Sequence, residues 1–91
     1  MRRWARTIRL TVDAGTAAAE LEGHREQLER MSAAGVLRHA WILGEEDGFL
    51  EILETADRHE AEAWCRESPL LEAGFAAWSL VPARPWEGGD S

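Results

Sequence analysis

Apolar and polar positions alternate through the first dozen residues. Trp4, Arg6, Ile8, Leu10 and Val12 fall on one side, Arg9 and Thr11 on the other, the period of two that a half-buried strand over residues 4–12 requires. The period then changes. Ala17, Leu21, His24, Leu28 and Met31 follow at steps of four and three, which lines them up along one face of a helix. Asp13, Gly15 and Thr16 turn the chain into that helix with Thr16 as its N-cap, and Gly35 closes it in the left-handed conformation. His24 stands on the apolar stripe where leucine would serve, so a titratable ring points inward.

Residues 36–43 are largely aliphatic or aromatic, and residues 49–55 alternate apolar with acidic; Gly44-Glu45-Glu46-Asp47-Gly48 between them makes the pair a hairpin. Asp57 and Glu60 have capping-box spacing and start a second helix that carries Ala61, Trp64, Cys65 and Leu71 toward the core. Pro69 interrupts it. Ser68 then reads as N-cap and Pro69 as first residue of a short continuation ending at Gly74, and residues 75–81 form a fourth strand. A single domain over residues 1–86 is expected, with 87–91 a flexible tail on the surface.

The order β-α-β-β-α-β predicts an α+β, ferredoxin-like fold: a four-stranded antiparallel sheet with both helices on one face. The sheet is apolar on both faces, with Leu37, His39, Trp41 and Leu43 against Val36, Ala40 and Ile42, and Phe75 and Val81 against Trp78 and Leu80. A monomer rarely exposes so large an apolar surface, so a second copy is expected to cover it, giving a homodimeric α/β barrel with a cavity near the interface.

Ninety-one residues suffice for one core. A mean hydropathy of −0.36, with no apolar run near the length of a membrane span, predicts no membrane partner. The net charge of −7 is spread over both halves and argues against nucleic acid; the basic cluster Arg2, Arg3, Arg6 and Arg9 reads as the solvated end of a strand. Cys65 is the single cysteine. It has no intrachain disulfide partner, and with an alternating rather than continuous apolar start this predicts a cytoplasmic location.

The stretch His24-Arg25-Glu26-Gln27-Leu28, continuing through Met31 to Gly35-Val36-Leu37, resembles the YciI-related (YCII) domain. So do Gly48-Phe49-Leu50-Glu51-Ile52-Leu53-Glu54-Thr55, Glu60-Ala61, Ser68-Pro69-Leu70-Leu71-Glu72-Ala73-Gly74 and Arg84-Pro85-Trp86. The resemblance implies a dimeric α+β barrel related to muconolactone isomerases. It also implies a helix histidine, here His24, paired with an aspartate whose position is Ser68 in this chain. A serine can orient an imidazole but cannot balance its charge; Glu67 and Glu72 are nearby candidates for the missing carboxylate. The family's Gly-Pro after the second strand is also absent, with Trp41-Ile42 near its place.

His24 and Ser68 are therefore the candidate catalytic residues, Ser68 also being explained by an N-cap role alone. Arg9, His39, Trp41, Glu51 and Trp78 are candidate substrate contacts. Trp41 and Trp78, on strands expected to be central, would form an aromatic wall for a flat ligand, and Arg9 and Glu51 would bind or polarise a carbonyl from the dimer cavity, unless they pair with each other or face solvent. His59 reads as a surface residue. No pair of histidines or cysteines has ligand spacing, so no metal is expected, nor any cofactor.

Two functions fit: an isomerase, cyclase or lyase that uses His24 to move a proton on a flat, carbonyl-bearing small molecule, or a non-catalytic small-molecule-binding or accessory protein on the same scaffold. Loss of the aspartate favours the second; His24 on the buried stripe favours the first.

Overall fold

A computed structural model describes residues 1–86; the predicted tail, 87–91, lies outside the described residues. The elements are β1 (Arg2–Leu10), α1 (Ala18–Ala33), β2 (Leu37–Leu43), β3 (Gly48–Thr55), α2 (Arg58–Arg66), α3 (Pro69–Glu72) and β4 (Ala76–Pro82). All strand pairs are antiparallel and the order across the sheet is β2-β3-β1-β4. The α+β, ferredoxin-like architecture is thus present, and no helix of the described residues is long and apolar enough to cross a membrane.

Three rungs cross the helix-facing side of the sheet. Leu37, Leu53, Trp4 and Pro82 form one, Ala40, Glu51, Arg6 and Leu80 the next, and Ile42, Phe49, Ile8 and Trp78 the third. Two apolar clusters result. Trp4, Val36, Leu53 and Leu80 pack with Met31, Ala61 and Cys65 at one end; Ile8 and Phe49 pack with Ala17, Leu21 and Leu70 at the other. Each fully buried large side chain contributes roughly 1.5–3 kcal/mol, and the charged middle rung interrupts an otherwise apolar layer.

Several local expectations are corrected. The first helix starts at Ala18 and Thr16 does not cap it; the Asp13 carboxylate instead accepts from the Thr16 amide and hydroxyl, both at 2.9 Å, and caps the preceding turn. Those two bonds hold the Asp13 carboxyl below its usual range. Gly35 does close the helix, at φ +76°. Asp57 caps α2 by accepting from the Glu60 amide at 2.9 Å, and the Glu60 carboxylate reaches back to the Ala56 amide at 3.1 Å.

β2 does not alternate regularly. Leu37 pairs with Leu53 and His39 with Ile52, an irregularity that leaves Arg38 as the extra residue. Leu37 consequently faces the helices, whereas His39, Trp41 and Leu43 face away with Leu50 and Ile52. The expected grouping of Leu37 with His39 and Trp41 fails at this bulge. Among the described residues no helix covers the far face of the sheet, and Trp41 and Val81 remain half exposed on it at 50% and 51%.

Candidate active site

His24 has no exposed surface, and both of its ring nitrogens are engaged. Its Nε2 lies 2.6 Å from Glu51 Oε2 on β3, and its Nδ1 lies 2.9 Å from the Ser68 hydroxyl at the α2–α3 junction. An ionised carboxylate can only accept, so Nε2 carries the hydrogen, and in the neutral ring Nδ1 accepts from Ser68. In that neutral ring Nδ1 is the nitrogen with a lone pair for an incoming proton. The Phe49 ring, tilted by 52° at 4.8 Å, supports the imidazole from the sheet.

Glu51 is held in turn from β1. Arg6 Nε donates to Glu51 Oε1 at 2.5 Å, and Arg6 Nη2 donates to Gln27 Oε1 at 3.2 Å. Gln27 Nε2 donates to the Trp64 carbonyl at 2.7 Å. Arg6, His24, Gln27, Glu51 and Ser68 are all fully buried, and no buried side-chain nitrogen or oxygen among the described residues lacks a partner. Burial alone pushes the Glu51 carboxyl up; the hydrogen bond from His24 and the Arg6 charge outweigh it and hold Glu51 below the usual carboxylate range.

The cluster depends on how closely α1 approaches α3. A Cβ on Gly23 would lie 2.8 Å from Pro69 Cγ, so only glycine lets the Pro69 ring seat against α1, and this contact brings the neighbouring Ser68 under His24. Ser68 occupies the N-cap position of α3 with extended backbone, yet its side chain makes no capping bond. The hydroxyl is given to His24 instead, which removes the explanation of Ser68 as a helix cap alone.

Glu67 and Glu72 are exposed and do not supply the carboxylate. Glu51 does, from the sheet and on the opposite ring nitrogen. Glu51 and Arg9 share no face: Arg9 pairs with Gly48 and Ala77 on the bare side, so neither the expected joint site in a dimer cavity nor a mutual salt bridge forms within the chain. His39 and Trp41 do meet, stacked at 5.6 Å on that bare side. Trp41 and Trp78 lie on the two edge strands and on opposite faces, not on central strands, so one protomer cannot join them into one wall. His59 is exposed. Burial pushes the Cys65 thiol up, consistent with a packing role.

The sequence puts Arg6 with Arg2, Arg3 and Arg9 at a solvated strand end, whereas Arg6 is fully buried, and Gln27 was missed altogether. Arg6 falls on the inward side of the first alternating stretch and Gln27 lies one turn from His24 on the helix stripe; a polar side chain at an inward-facing position of each facing element was the available signal. Among the described residues no three His, Cys, Asp or Glu side chains converge as a metal site would need.

No protein-family model matches the sequence, and no curated protein is similar to it in sequence. Solved structures share the fold. 5-Chloro-2-hydroxyhydroquinone dehydrochlorinase (TftG) from Burkholderia phenoliruptrix AC1100, in complex with 2,5-dihydroxybenzoquinone, aligns with a TM-score of 0.80 at 13% identity, covering 97% of this chain and 99% of that one. A muconolactone isomerase aligns with a TM-score of 0.68 at 12% identity, covering 96% and 93%. The hypothetical protein PHS023 from Pyrococcus horikoshii aligns at 0.50 with 16% identity over 92% and 93%. The chain shares its α+β fold, a four-stranded antiparallel sheet with helices on one face, with the dehydrochlorinase and the isomerase.

Proposed function

We propose that the protein is an isomerase or lyase of the YCII-related kind that moves a proton on a flat, carbonyl-bearing small molecule, with His24 as the base. The observation that carries this reading is the clamping of a fully buried imidazole between the Ser68 hydroxyl and the Arg6-paired Glu51 carboxylate. Glu51 fixes the tautomer and offsets the charge of the imidazolium, the part that the absent aspartate would play. An apolar interior of this size has no packing need for such a group, since a buried ion pair is weak evidence of stability.

Nε2 is closed off by the sheet, so the proton path runs past Ser68. As a substrate C–H or O–H bond breaks, its proton passes to the Ser68 oxygen while the Ser68 hydrogen moves to Nδ1, leaving a substrate anion beside an imidazolium. Return of a proton to another carbon gives an isomer; departure of a leaving group with the electron pair gives an elimination. Because Ser68 is buried, the turn bearing it must give way for substrate to reach it. The likeness to the dehydrochlorinase and the muconolactone isomerase supports quinoid or lactone substrates, and the half-exposed apolar sheet face supports a homodimer.

The test is turnover of 5-chloro-2-hydroxyhydroquinone and of muconolactone by the native protein and by His24→Gln, with 2,5-dihydroxybenzoquinone as a binding probe. Loss of about 10²–10⁴-fold in turnover in folded His24→Gln is expected; unchanged turnover in that variant overturns the reading. The serine at position 68, where the resemblance implies an aspartate, supports the second reading, a binding or accessory protein, which binding without turnover would select.

A further inference from the structure

Gln27 is fully buried on the stripe of α1 that carries His24, yet its hydrogen bonds go to neither His24 nor Glu51. Its two amide atoms face different elements. Nε2 donates at 2.7 Å to the Trp64 carbonyl, in the last turn of α2, which the Ser68 amide leaves open by donating to the Cys65 carbonyl at 3.2 Å. A carbonyl only accepts, so the amide oxygen of Gln27 is turned toward β1, where it accepts from Arg6 Nη2 at 3.2 Å.

The engagement of Nη2 decides how Arg6 holds Glu51. Nε and Nη2 lie on one edge of the guanidinium, and an arginine that presents this edge to a carboxylate readily donates from both and occupies both oxygens. Here Nη2 is drawn away. Gln27 Oε1 and Met31 Sδ, one turn apart on α1, take it at 3.2 and 3.6 Å, while Nη1 points to the Trp64 carbonyl at 3.4 Å. Nε alone is left for Glu51 and reaches Oε1, so Oε2 is open to the hydrogen of His24 Nε2 at 2.6 Å. Satisfying the end of α2 explains the Gln27 nitrogen; it does not explain why Arg6 grips Glu51 by one oxygen.

We infer that Gln27 is a positioning residue: by holding Arg6 Nη2 it divides the Glu51 carboxylate between Arg6 and His24, and so keeps the hydrogen of the neutral imidazole on Nε2 and the lone pair on Nδ1. The catalytic consequence rests on the reading of His24 as the base, whereas the place of the hydrogen on the ring is a property of the free protein.

The experiment reads the His24 ring nitrogens of the whole protein by two-bond 1H–15N correlation, well above the ordinary histidine pKa of about 6.5. The native ring is expected to carry its hydrogen on Nε2. In Gln27→Met, similar in size but without the amide oxygen, Nη2 turns to Glu51 Oε2 and a mixture of tautomers is expected; Gln27→Leu is read in the same way should Gln27→Met not fold. Gln27→Glu, which keeps an oxygen for Nη2, is expected to retain the hydrogen on Nε2. So is Leu53→Ala, a core truncation that lowers the urea midpoint without removing a polar partner. A native ring protonated on Nδ1, an unmixed Nε2–H ring in the folded Gln27→Met or Gln27→Leu protein, or a mixture in Gln27→Glu or Leu53→Ala each overturns the inference. Turnover is measured beside it. The kcat of Gln27→Met is expected to fall at least about tenfold, a share of the about 10²–10⁴-fold that a positioned base contributes, with KM near native. A native protein without turnover but with the expected ring signals overturns the proton-transfer reading and upholds the hold of Gln27 on the ring; a mixed ring with native kcat overturns the role of Gln27 in catalysis.

Discussion

Removing either member of the Arg6–Glu51 pair leaves the other charge in an interior with no exposed surface. Arg6→Met or Glu51→Leu alone is expected to cost about 3–5 kcal/mol in urea unfolding. The double variant should cost clearly less than the sum of the two, although His24 then loses its acceptor; strict additivity would mean that the pair is not coupled in solution. The same carboxylate makes stability depend on pH. Glu51 titrates lower in the folded protein than in the unfolded chain, where its ordinary value is about 4.3. Its contribution is therefore fully present above that value and is lost as pH falls through the lower folded value. Urea midpoints of the native protein should fall more steeply on acidification below about pH 4 than those of the double variant; parallel curves would show that Glu51 is not held ionised by its neighbours.

At the scale of elements, the seam between α1 and α3 holds the site together. Gly23→Ala gains up to about 1 kcal/mol in helix propensity, but its methyl meets the Pro69 ring, and overpacking of this kind costs about 1–3 kcal/mol. The variant is expected to be less stable than native, and the loss should be relieved when Pro69→Ala is added; a Gly23→Ala protein more stable than native would remove the seam from the account. The elements themselves were legible because their signals are local: the alternation of Trp4, Ile8 and Leu10, the helix stripe through His24, the glycine at 35 and the Asp57–Glu60 box all act within a few residues of one another. The partner of His24 was not. Glu51 lies on another element, 27 residues away in sequence, and an acidic residue alternating with apolar ones looks the same whether it faces solvent or core. Ser68 misled in the other direction, since a serine before proline is a good cap in any helix and only the nearness of α1 diverts its hydroxyl.

For the whole molecule, the unanswered surface is the sheet face away from the helices. Ala5, Thr7, Leu50, Ile52, His39, Trp41 and Val81 share it, and no element of the described residues packs there as the helices pack on the other side. In the proposed homodimer a charge at its centre is buried, whereas in a monomer it is solvated. Ile52→Glu is therefore expected to halve the mass seen by light scattering while leaving helix content intact. A native protein that is already monomeric at micromolar concentration would overturn the dimer.

The irregularity at Arg38 bears on which changes in chain length the protein can absorb. Because Leu37 and His39 point to opposite faces with a surplus residue between them, excision of Arg38 would leave a regular ladder in which every later side chain keeps its side. Excision at Ala40 would instead exchange the two faces of all that follows before the turn, sending Trp41 among the helices and Leu43 after it. One codon in β2 is thus expendable while its near neighbour is not, and lineages of this chain could shorten the strand at the bulge without redrawing the protein's two surfaces.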